Sequence, residues 1–290
     1  MRSLLFVPAH DARKLAKSMV SGADALILDL EDSVPDADKA RARGTCAEFI
    51  QEHRDRIRLF VRVNGIDTGL TAEDLAVAVA ARPYGIMLPK AHGAKDVATV
   101  ATWLLAIERR AGIAEGSTKV LPIVTETAAA LFEMQTYSNA RNARLCGMLW
   151  GGEDLSADIG ARSSRAPDGR YAGPYALARS MTLLGATAAG VDAVDAVYTD
   201  FRNAAGLRAE SEEAVRDGFS SKAAIHPDQV PVINAAFTPS SEDTGYARQV
   251  IAAFENSPGA GAVAIDGKML DRPHLRAAQR VLQRAERAAL

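Results

Sequence analysis

Short apolar runs that alternate with helical patterns are the feature that most limits how this chain can fold. The runs are nearly continuous in apolar residues, as in "ALILDLE" and "KVLPIVTE". Strands of this kind are buried on both faces, which happens when helices cover both sides of a parallel sheet. The pattern therefore predicts an α/β protein. The predicted strands cover residues 2–8, 25–31, 58–65, 84–90, 119–126, 144–152, 193–199 and 222–227.

The number of strands favours a TIM (β/α)8 barrel over an open doubly wound sheet. Such a barrel needs eight strand–helix units in about 250 residues, and the chain has 290 residues with 48% hydrophobic content. A dinucleotide-binding sheet would carry a G-x-G-x-x-G turn after its first strand, and "FVPAHDARK" has none. We predict a barrel domain over residues 1–237 and a C-terminal extension over 238–290, made of a helix, a short hairpin and a helix.

Charge and composition exclude several classes of partner. The chain has 34 basic and 36 acidic residues, with no basic run interleaved with aromatic residues, so we expect no nucleic-acid binding. No apolar stretch approaches the ~18 residues of a membrane span, and the N-terminus has no signal-peptide pattern, so we expect a cytoplasmic protein. Cys46 lies in a predicted helix and Cys146 in a predicted strand, so both are predicted to be buried thiols and not a disulfide. Neither has metal-ligand spacing.

Carboxylates follow several of the apolar runs, at the barrel end where TIM-barrel enzymes place catalytic groups. Carboxylates that share one mouth repel each other unless a cation lies between them. Mg²⁺ is typically held by one or two carboxylates and completes its octahedron with water and substrate oxygens. Glu126 and either Glu153 or Asp154 suit that role. Spacing leaves the choice between the neighbours open, and either acid, like Glu126 itself, can instead serve the start of the helix that follows.

Cations also occur near the strand ends. Arg62 lies inside an apolar strand, where a guanidinium requires an acid, either Glu31 or Asp32 or a substrate carboxylate. For the acids of "DLED" (29–32), a salt-bridge network with Arg2 or Arg62 is favoured over metal ligation. Lys90 is able to reach a phosphate or an acid, or to remain a solvated loop residue.

The remaining candidate residues are a histidine, two glycines and an aspartate. His226 has no second His or Cys at ligand spacing, so we interpret it as a structural histidine. Gly151 and Gly152 leave room for backbone N–H groups near a ligand. Asp271 precedes "RPHLRAAQ", which is also typical of a helix N-cap.

Motifs along the whole chain resemble those of a known family. They include "VRVNGIDT", "GIMLPKAHGAKDV", "ETAAAL", "GGEDLSADIG", "VYTDFRNAAGL", "GFSSKAAIHPDQ" and "IDGKMLDRPHL". Together they are similar to the citrate lyase β-subunit-like proteins, which belong with malyl-CoA and citramalyl-CoA lyases in the HpcH/HpaI aldolase superfamily. The family often has glycine after "FVP", where this chain has Ala9.

The resemblance implies roles for individual residues. It implies that Glu126 and Asp154 are the metal ligands, so Asp154 is chosen over Glu153. It also implies that Arg62 binds the substrate carboxylate. It implies Asp271 as the acid–base group, often supplied by a neighbouring subunit. Around them, Glu31 and Asp32 would support the site, and Gly151, Gly152 and Lys90 would lie near the CoA thioester.

The resemblance also implies an activity. It implies a homotrimer that uses Mg²⁺, or Mn²⁺ in its place, to cleave a carboxylated 3-hydroxyacyl-CoA of the citramalyl-CoA or malyl-CoA type. Retro-Claisen cleavage would give acetyl-CoA and a 2-oxoacid, pyruvate or glyoxylate. The alternatives are a malyl-CoA thioesterase or malate synthase-like enzyme, a citrate lyase β subunit acting in a complex, and a non-catalytic CoA- or metabolite-binding protein.

Overall fold

Eight parallel strands form one sheet in the computed structural model, which describes residues 1–140 and 142–289. Each strand lies inside a predicted run or begins one residue before it, so the prediction of eight strands is confirmed. The strands are β1 Ser3–Pro8, β2 Ala25–Asp29, β3 Arg58–Arg62, β4 Gly85–Leu88, β5 Lys119–Pro122, β6 Gly147–Leu149, β7 Asp192–Asp195 and β8 Ser221–Ala224.

The sheet closes on itself. Its strand order is β5-β4-β3-β2-β1-β8-β7-β6, so β1 pairs with both β2 and β8. The remaining edges, β5 and β6, meet through parallel bridges from Val120 to Leu145 and from Ile123 to Leu149. The predicted TIM (β/α)8 barrel is therefore confirmed.

Helices surround the strands and bury their outer faces. Inside the barrel, a separate apolar cluster includes Leu4, Ile27, Phe60 and Leu149. Both cysteines are free thiols, and Cys46 is buried while Cys146 is half-buried. The helices are α1 Ala12–Ser18, α2 Lys39–His53, α3 Thr71–Ala80, α4 Ala94–Ala111, α5 Ala128–Phe132, α6 Met134–Ala140, α7 Glu153–Asp158, α8 Gly173–Ala189, α9 Ala204–Asp217, α10 Gln229–Phe237, α11 Ser241–Glu255 and α12 Arg272–Ala289.

The extension contains a helix, a hairpin and a helix, as predicted. α11 begins with a capping box between Ser240 and Asp243. The hairpin pairs β9 Ala262–Ile265 with β10 Lys268–Asp271, and its turn has positive φ at Asp266 (49°) and Gly267 (76°). Aspartate and glycine are favoured in such turns. A small apolar core of its own holds the extension together: Ala247, Val250, Phe254, Leu270 and Ala278.

The extension contacts the amino-terminal face of the barrel twice, near its first residue and near the end of α12. At its beginning, Arg2 Nη1 donates to Thr238 Oγ1 at 3.1 Å, and at its end, Arg287 lies 3.6 Å from Asp192. α11 has 15 residues, so the hairpin lies about 22 Å along the helix from that face. None of the helices in the described part of the chain is long and apolar enough to cross a membrane.

Candidate active site

A cavity of about 340 Å³ opens at the carboxyl ends of the strands. This is the face where TIM-barrel enzymes bind substrates. Its wall combines acids and one arginine with aromatic and small residues from loops after several strands. Among the residues that line it are Phe6, Asp29, Asp32, Arg62, Glu126, Trp150, Gly151, Gly152, Glu153, Asp154, Tyr171 and Ile225.

Glu126 is a buried acid in this cavity, with only 3% of its surface exposed. It lies beyond the end of β5, and the backbone N–H of Lys90 donates to its Oε2. Burial raises the pKa of Glu126 to about 8, and the negative charges of Asp154 and Glu31 act in the same direction. A carboxylate in these surroundings gains strongly from a nearby cation.

Two glycines follow β6 beside Glu126. A Cβ on Gly151 would lie 3.0 Å from Glu126 Cγ, and a Cβ on Gly152 would lie 3.1 Å from the Trp150 ring. The Gly151 N–H donates to Thr125 Oγ1 at 2.9 Å, so it is not directed at a ligand. Gly151 therefore makes room for Glu126, and Gly152 makes room for Trp150. This local role accounts for both glycines in "WGGED" without a ligand.

Glu153 and Asp154 occupy the first turn of α7, and both line the cavity. Asp154 Oδ1 lies 4.0 Å from Lys90 Nζ, and its charge contributes to the raised pKa of Glu126. The Glu153 side chain is more exposed to solvent. Of the two neighbouring acids, Asp154 is thus the one that faces the buried carboxylate and the lysine.

Arg62 ends β3 among carboxylates. Its Nε and Nη2 each donate to Asp29 at 2.7 Å, and its Nη1 lies 2.9 Å from Glu31 and 3.5 Å from Asp32. Burial alone would lower the pKa of Arg62, but these acids, Asp29 first, hold it above the usual value. The predicted salt-bridge network is confirmed for Arg62, whereas Arg2 lies at the opposite face of the barrel.

Lys90 is neither free nor directly in the cavity wall. Its Nζ donates to Glu31 Oε1 at 3.0 Å, so the alternative of a solvated loop lysine is wrong. Burial lowers the pKa of Lys90, but the hydrogen bond to Glu31 and the negative charges of Glu31, Asp32 and Asp154 together raise it overall. The Lys90 backbone is left-handed, with φ 51°, which is uncommon without glycine. Lys90 therefore contacts Glu31 through its side chain and Glu126 through its backbone N–H.

Asp271 is far from this cavity, whereas Lys90 and Glu31, which do not line it either, contact residues that do. The Oδ1 of Asp271 lies 2.6 Å from His274 Nδ1, and half of its side chain is exposed. Asp271 directly precedes α12, so this contact stabilises the start of that helix. Over the described ranges, no residue of the extension lines the cavity of its own chain.

His226 is structural, as interpreted from its spacing. Its Nδ1 accepts from the Asp228 N–H at 3.2 Å, and its ring stacks on Phe201 at 5.0 Å.

The barrel region matches a family model. Residues 2–227 match the model described as HpcH/HpaI aldolase/citrate lyase. The chain belongs to this family. It is therefore an enzyme of the aldolase/citrate lyase type.

Individual members of the aldolase/citrate lyase family match nearly the whole chain. The citrate lyase subunit beta of Escherichia coli strain K12 is 35% identical over 289 residues, covering 98% of this chain and 93% of that protein. A (3S)-malyl-CoA thioesterase of Cereibacter sphaeroides (strain ATCC 17029) is 35% identical over 294 residues, covering 99% and 95%.

A solved structure of the same family is also similar. It is the crystal structure of the protein CitE from Mycobacterium tuberculosis in complex with magnesium, acetoacetate and coenzyme A. It superposes with a TM-score of 0.78 at 35% identity, covering 98% of each chain.

Sequence reasoning missed a buried network behind the cavity of this aldolase/citrate lyase family member. Lys222, which is fully buried, lies 2.7 Å from Asp195 Oδ2, and Asp195 Oδ1 accepts from Trp150 Nε1 at 2.7 Å. Trp150 in turn packs edge-to-face on Tyr171 at 4.9 Å. The signal was an acid inside the apolar run "AVDAV", the same kind of signal that identified Arg62.

The available carboxylate ligands fit Mg²⁺ better than a metal ion whose ligands all come from protein side chains. Within residues 1–140 and 142–289, no three His, Cys, Asp or Glu side chains form a cluster that could hold a metal. Glu126 and Asp154 offer carboxylate oxygens only, and Mg²⁺ is commonly bound by one or two carboxylates with water and substrate oxygens in its other positions. Burial, together with the charges of Asp154 and Glu31, raises the pKa of Glu126, so a cation bound by these carboxylates would be favoured.

Proposed function

We propose that this chain is a Mg²⁺-dependent carbon–carbon lyase that acts on a 3-hydroxyacyl-CoA carrying a second carboxylate. The observation that carries the proposal is the buried Glu126 beside Asp154 in a cavity that also exposes Arg62. Two acids and one arginine in one mouth suit a ligand that has both a metal-chelating end and an anionic end. The relative bound to magnesium, acetoacetate and coenzyme A supports the substrate class.

Glu126 and Asp154 would hold the Mg²⁺. Bound there, the ion would supply Lewis-acid polarisation of substrate oxygens and a template for their orientation. The Lys90 N–H donates to one oxygen of Glu126, which orients the carboxylate and leaves its other oxygen for the ion.

Arg62 would bind the substrate carboxylate. Asp29 holds two of its nitrogens, so the guanidinium is already oriented before substrate arrives. Such preorganisation reduces the free-energy cost of binding. Lys90 and Arg62 together offset the negative charge of Glu31, which lies between them.

The hydroxyl of the substrate would pass its proton to a general base, and the carbon that bears it would become the carbonyl carbon of a 2-oxoacid. The bond between the carbinol carbon and the α-carbon breaks, and its electron pair forms the enolate of the thioester. An acid then protonates the α-carbon and releases acetyl-CoA. Citramalyl-CoA would give pyruvate, and malyl-CoA would give glyoxylate.

Asp271 is our proposal for that acid, delivered by a second copy of the chain. The extension begins and ends at the opposite face of its own barrel, so its hairpin is placed to reach outward to a neighbour. The proposed assembly is a homotrimer.

Thioester hydrolysis is the second candidate, because a relative of equal identity is named (3S)-malyl-CoA thioesterase. Water would then attack the thioester carbonyl and release free CoA with the hydroxyacid intact. A role as a citrate lyase β subunit has similar support from the Escherichia coli relative.

Product identity tests these alternatives. Purified chain with Mg²⁺ is offered malyl-CoA and citramalyl-CoA, and the products are identified by mass spectrometry. A lyase gives equal amounts of acetyl-CoA and 2-oxoacid. Free CoA together with the intact hydroxyacid would show hydrolysis of the thioester instead of carbon–carbon cleavage. Inactivity on both esters would contradict both the lyase and the thioesterase proposals.

Mixing two inactive variants tests the origin of Asp271. Glu126→Gln and Asp271→Asn are each expected to be inactive. After subunit exchange of an equal mixture, about a quarter of the sites would combine an intact Glu126 with an intact Asp271 from a neighbour. Recovery of about a quarter of wild-type turnover supports the proposal. If subunit exchange is verified and turnover does not recover, then either the two residues act within one chain or Asp271 has no part in catalysis.

A further inference from the structure

We propose that the amino-terminal face of the barrel, opposite the active site, binds a small molecule with a diphosphate group. A cavity of about 1150 Å³ lies there, between the beginnings of the barrel strands and the end of α12. Six arginines line it: Arg2, Arg54, Arg56, Arg58, Arg82 and Arg287.

The charge of this cavity is the reverse of that of the chain. The six arginines face three aspartates, Asp24, Asp55 and Asp192, whereas the whole chain has a formal charge of −2. Met1 also lines the wall. A planar guanidinium offers several N–H donors to one phosphate group, and several arginines suit a ligand with more than one anionic group.

Half of the arginines are already engaged with the protein. Arg2 forms an ion pair with Asp24 at 2.7 Å, and Arg54 donates to the Ala81 carbonyl at 3.1 Å. Arg287 lies 3.6 Å from Asp192.

The other three are Arg56, Arg58 and Arg82, which have no carboxylate within ion-pair distance in the described part of the chain. They come from two separate segments: Arg56 and Arg58 lie just before and at the start of β3, and Arg82 lies in the turn after α3. Their positive charges are therefore available to a ligand from two sides.

Arg58 also brings an aromatic surface to the cavity. Its guanidinium lies 5.5 Å from the centre of the Tyr84 ring, and that ring is fixed edge-to-face on Phe60 at 5.2 Å. Ile57 and Pro83 add apolar wall. These surfaces suit an organic group attached to the diphosphate.

Arg82 has a backbone conformation that its side chain does not favour. Its φ is 66°, at the end of α3, where glycine or asparagine is usual. A residue with a Cβ is disfavoured in this left-handed conformation. A long cation at such a position is an outlier of the kind that accompanies function, and here the side chain lines the basic cavity.

Calorimetric titration of the full chain with inorganic pyrophosphate tests the site, in EDTA so that no metal–pyrophosphate complex forms. We expect one equivalent to bind, with an affinity that falls as NaCl is added. Arg58→Ala and Arg82→Gly should each weaken binding about tenfold, as expected for loss of a charge-assisted hydrogen bond. Arg82→Gly should fold at least as stably as the wild type, because glycine accepts the backbone conformation.

Two variants serve as controls. Arg208→Ala removes an exposed arginine of α9 outside the cavity, and Glu126→Gln alters the active site. Neither should change pyrophosphate binding. Unchanged affinity in both Arg58→Ala and Arg82→Gly would overturn the proposal, as would loss of binding in Glu126→Gln or the absence of binding at millimolar pyrophosphate.

A second titration with ADP distinguishes the source of the diphosphate. Tighter binding than pyrophosphate, reversed by Tyr84→Ala, identifies an organic diphosphate. Equal affinities for ADP and pyrophosphate would show that the site recognises the diphosphate alone. Orthophosphate should bind more weakly than either, and equal affinity for orthophosphate would contradict a site for two phosphate groups.

Discussion

Strand β3 begins and ends with an arginine, and the two have opposite surroundings. Arg62, at the carboxyl end, has 12% of its side chain exposed and contacts three acids. Arg58, at the amino end, is exposed and lies over the Tyr84 ring. The same side chain is therefore a buried partner of acids at one end of the strand and an exposed cation at the other.

The difference extends to the two faces of the barrel. The carboxyl face gathers Glu126, Asp154 and the acids of "DLED", and the opposite face gathers arginines. Acids that lie close together require cations, which Arg62 and Lys90 supply in part and Mg²⁺ would complete. Opposite charge at the two faces would allow one barrel to bind the proposed metal at one end and the proposed anion at the other.

Replacing each arginine of β3 by methionine should show the largest difference. Arg62→Met leaves Asp29 and Glu31 buried without their cation, and we expect a loss of about 3–5 kcal/mol in the free energy of unfolding. Arg58→Met removes an exposed cation and should cost less than about 1 kcal/mol. Urea unfolding measures both. Similar losses in the two variants would show that the surroundings of the two residues are energetically alike.

The neighbouring acids of α7 should differ in activity. Asp154→Asn should lower kcat/KM of the proposed lyase reaction by more than about 100-fold, because even groups that only orient a metal ligand are worth 10–100-fold. Glu153→Gln should change it by less than about threefold, within the range of a surface substitution. Steady-state kinetics at saturating Mg²⁺ compares the two. A larger loss in Glu153→Gln would reverse the assignment of the ligand.

The raised pKa of Glu126 should make Mg²⁺ binding depend on pH. The pKa is about 8 in the fold against an ordinary value of 4.5. Between these values the metal-free folded chain binds more protons than the unfolded chain, so its stability falls as pH rises through that window. Mg²⁺ must displace this proton, so its affinity should rise up to about tenfold per pH unit until pH 8.

Calorimetry with MgCl₂ at pH 6, 7 and 8 measures the dependence. Glu126→Gln should bind Mg²⁺ weakly and with no such dependence. An affinity that does not change over this range in the wild type would show that Glu126 is already ionised.

Much of the fold could be predicted from the sequence. Eight strands were predicted because burial on both faces leaves an uninterrupted apolar run, which is a local signal. The ends of the strands were predicted too late: the run 144–152 contains a strand only over Gly147–Leu149. Residues beyond a strand are also buried here, as Glu126 shows at 3% exposure, and burial alone does not mark where pairing stops.

The candidate site could be predicted only in part. Which residue types follow the strands can be read along the chain, and this predicts that acids, Arg62 and two glycines meet at one face of a barrel. Their partners follow from the folded barrel: Asp29 binds Arg62, Lys90 contacts both Glu31 and Glu126, and Asp271 lies outside the cavity of its own chain. Pairing between charges far apart in sequence depends on closure of the barrel, which no local periodicity records. Lys222 and Asp195 pair across 27 residues for the same reason.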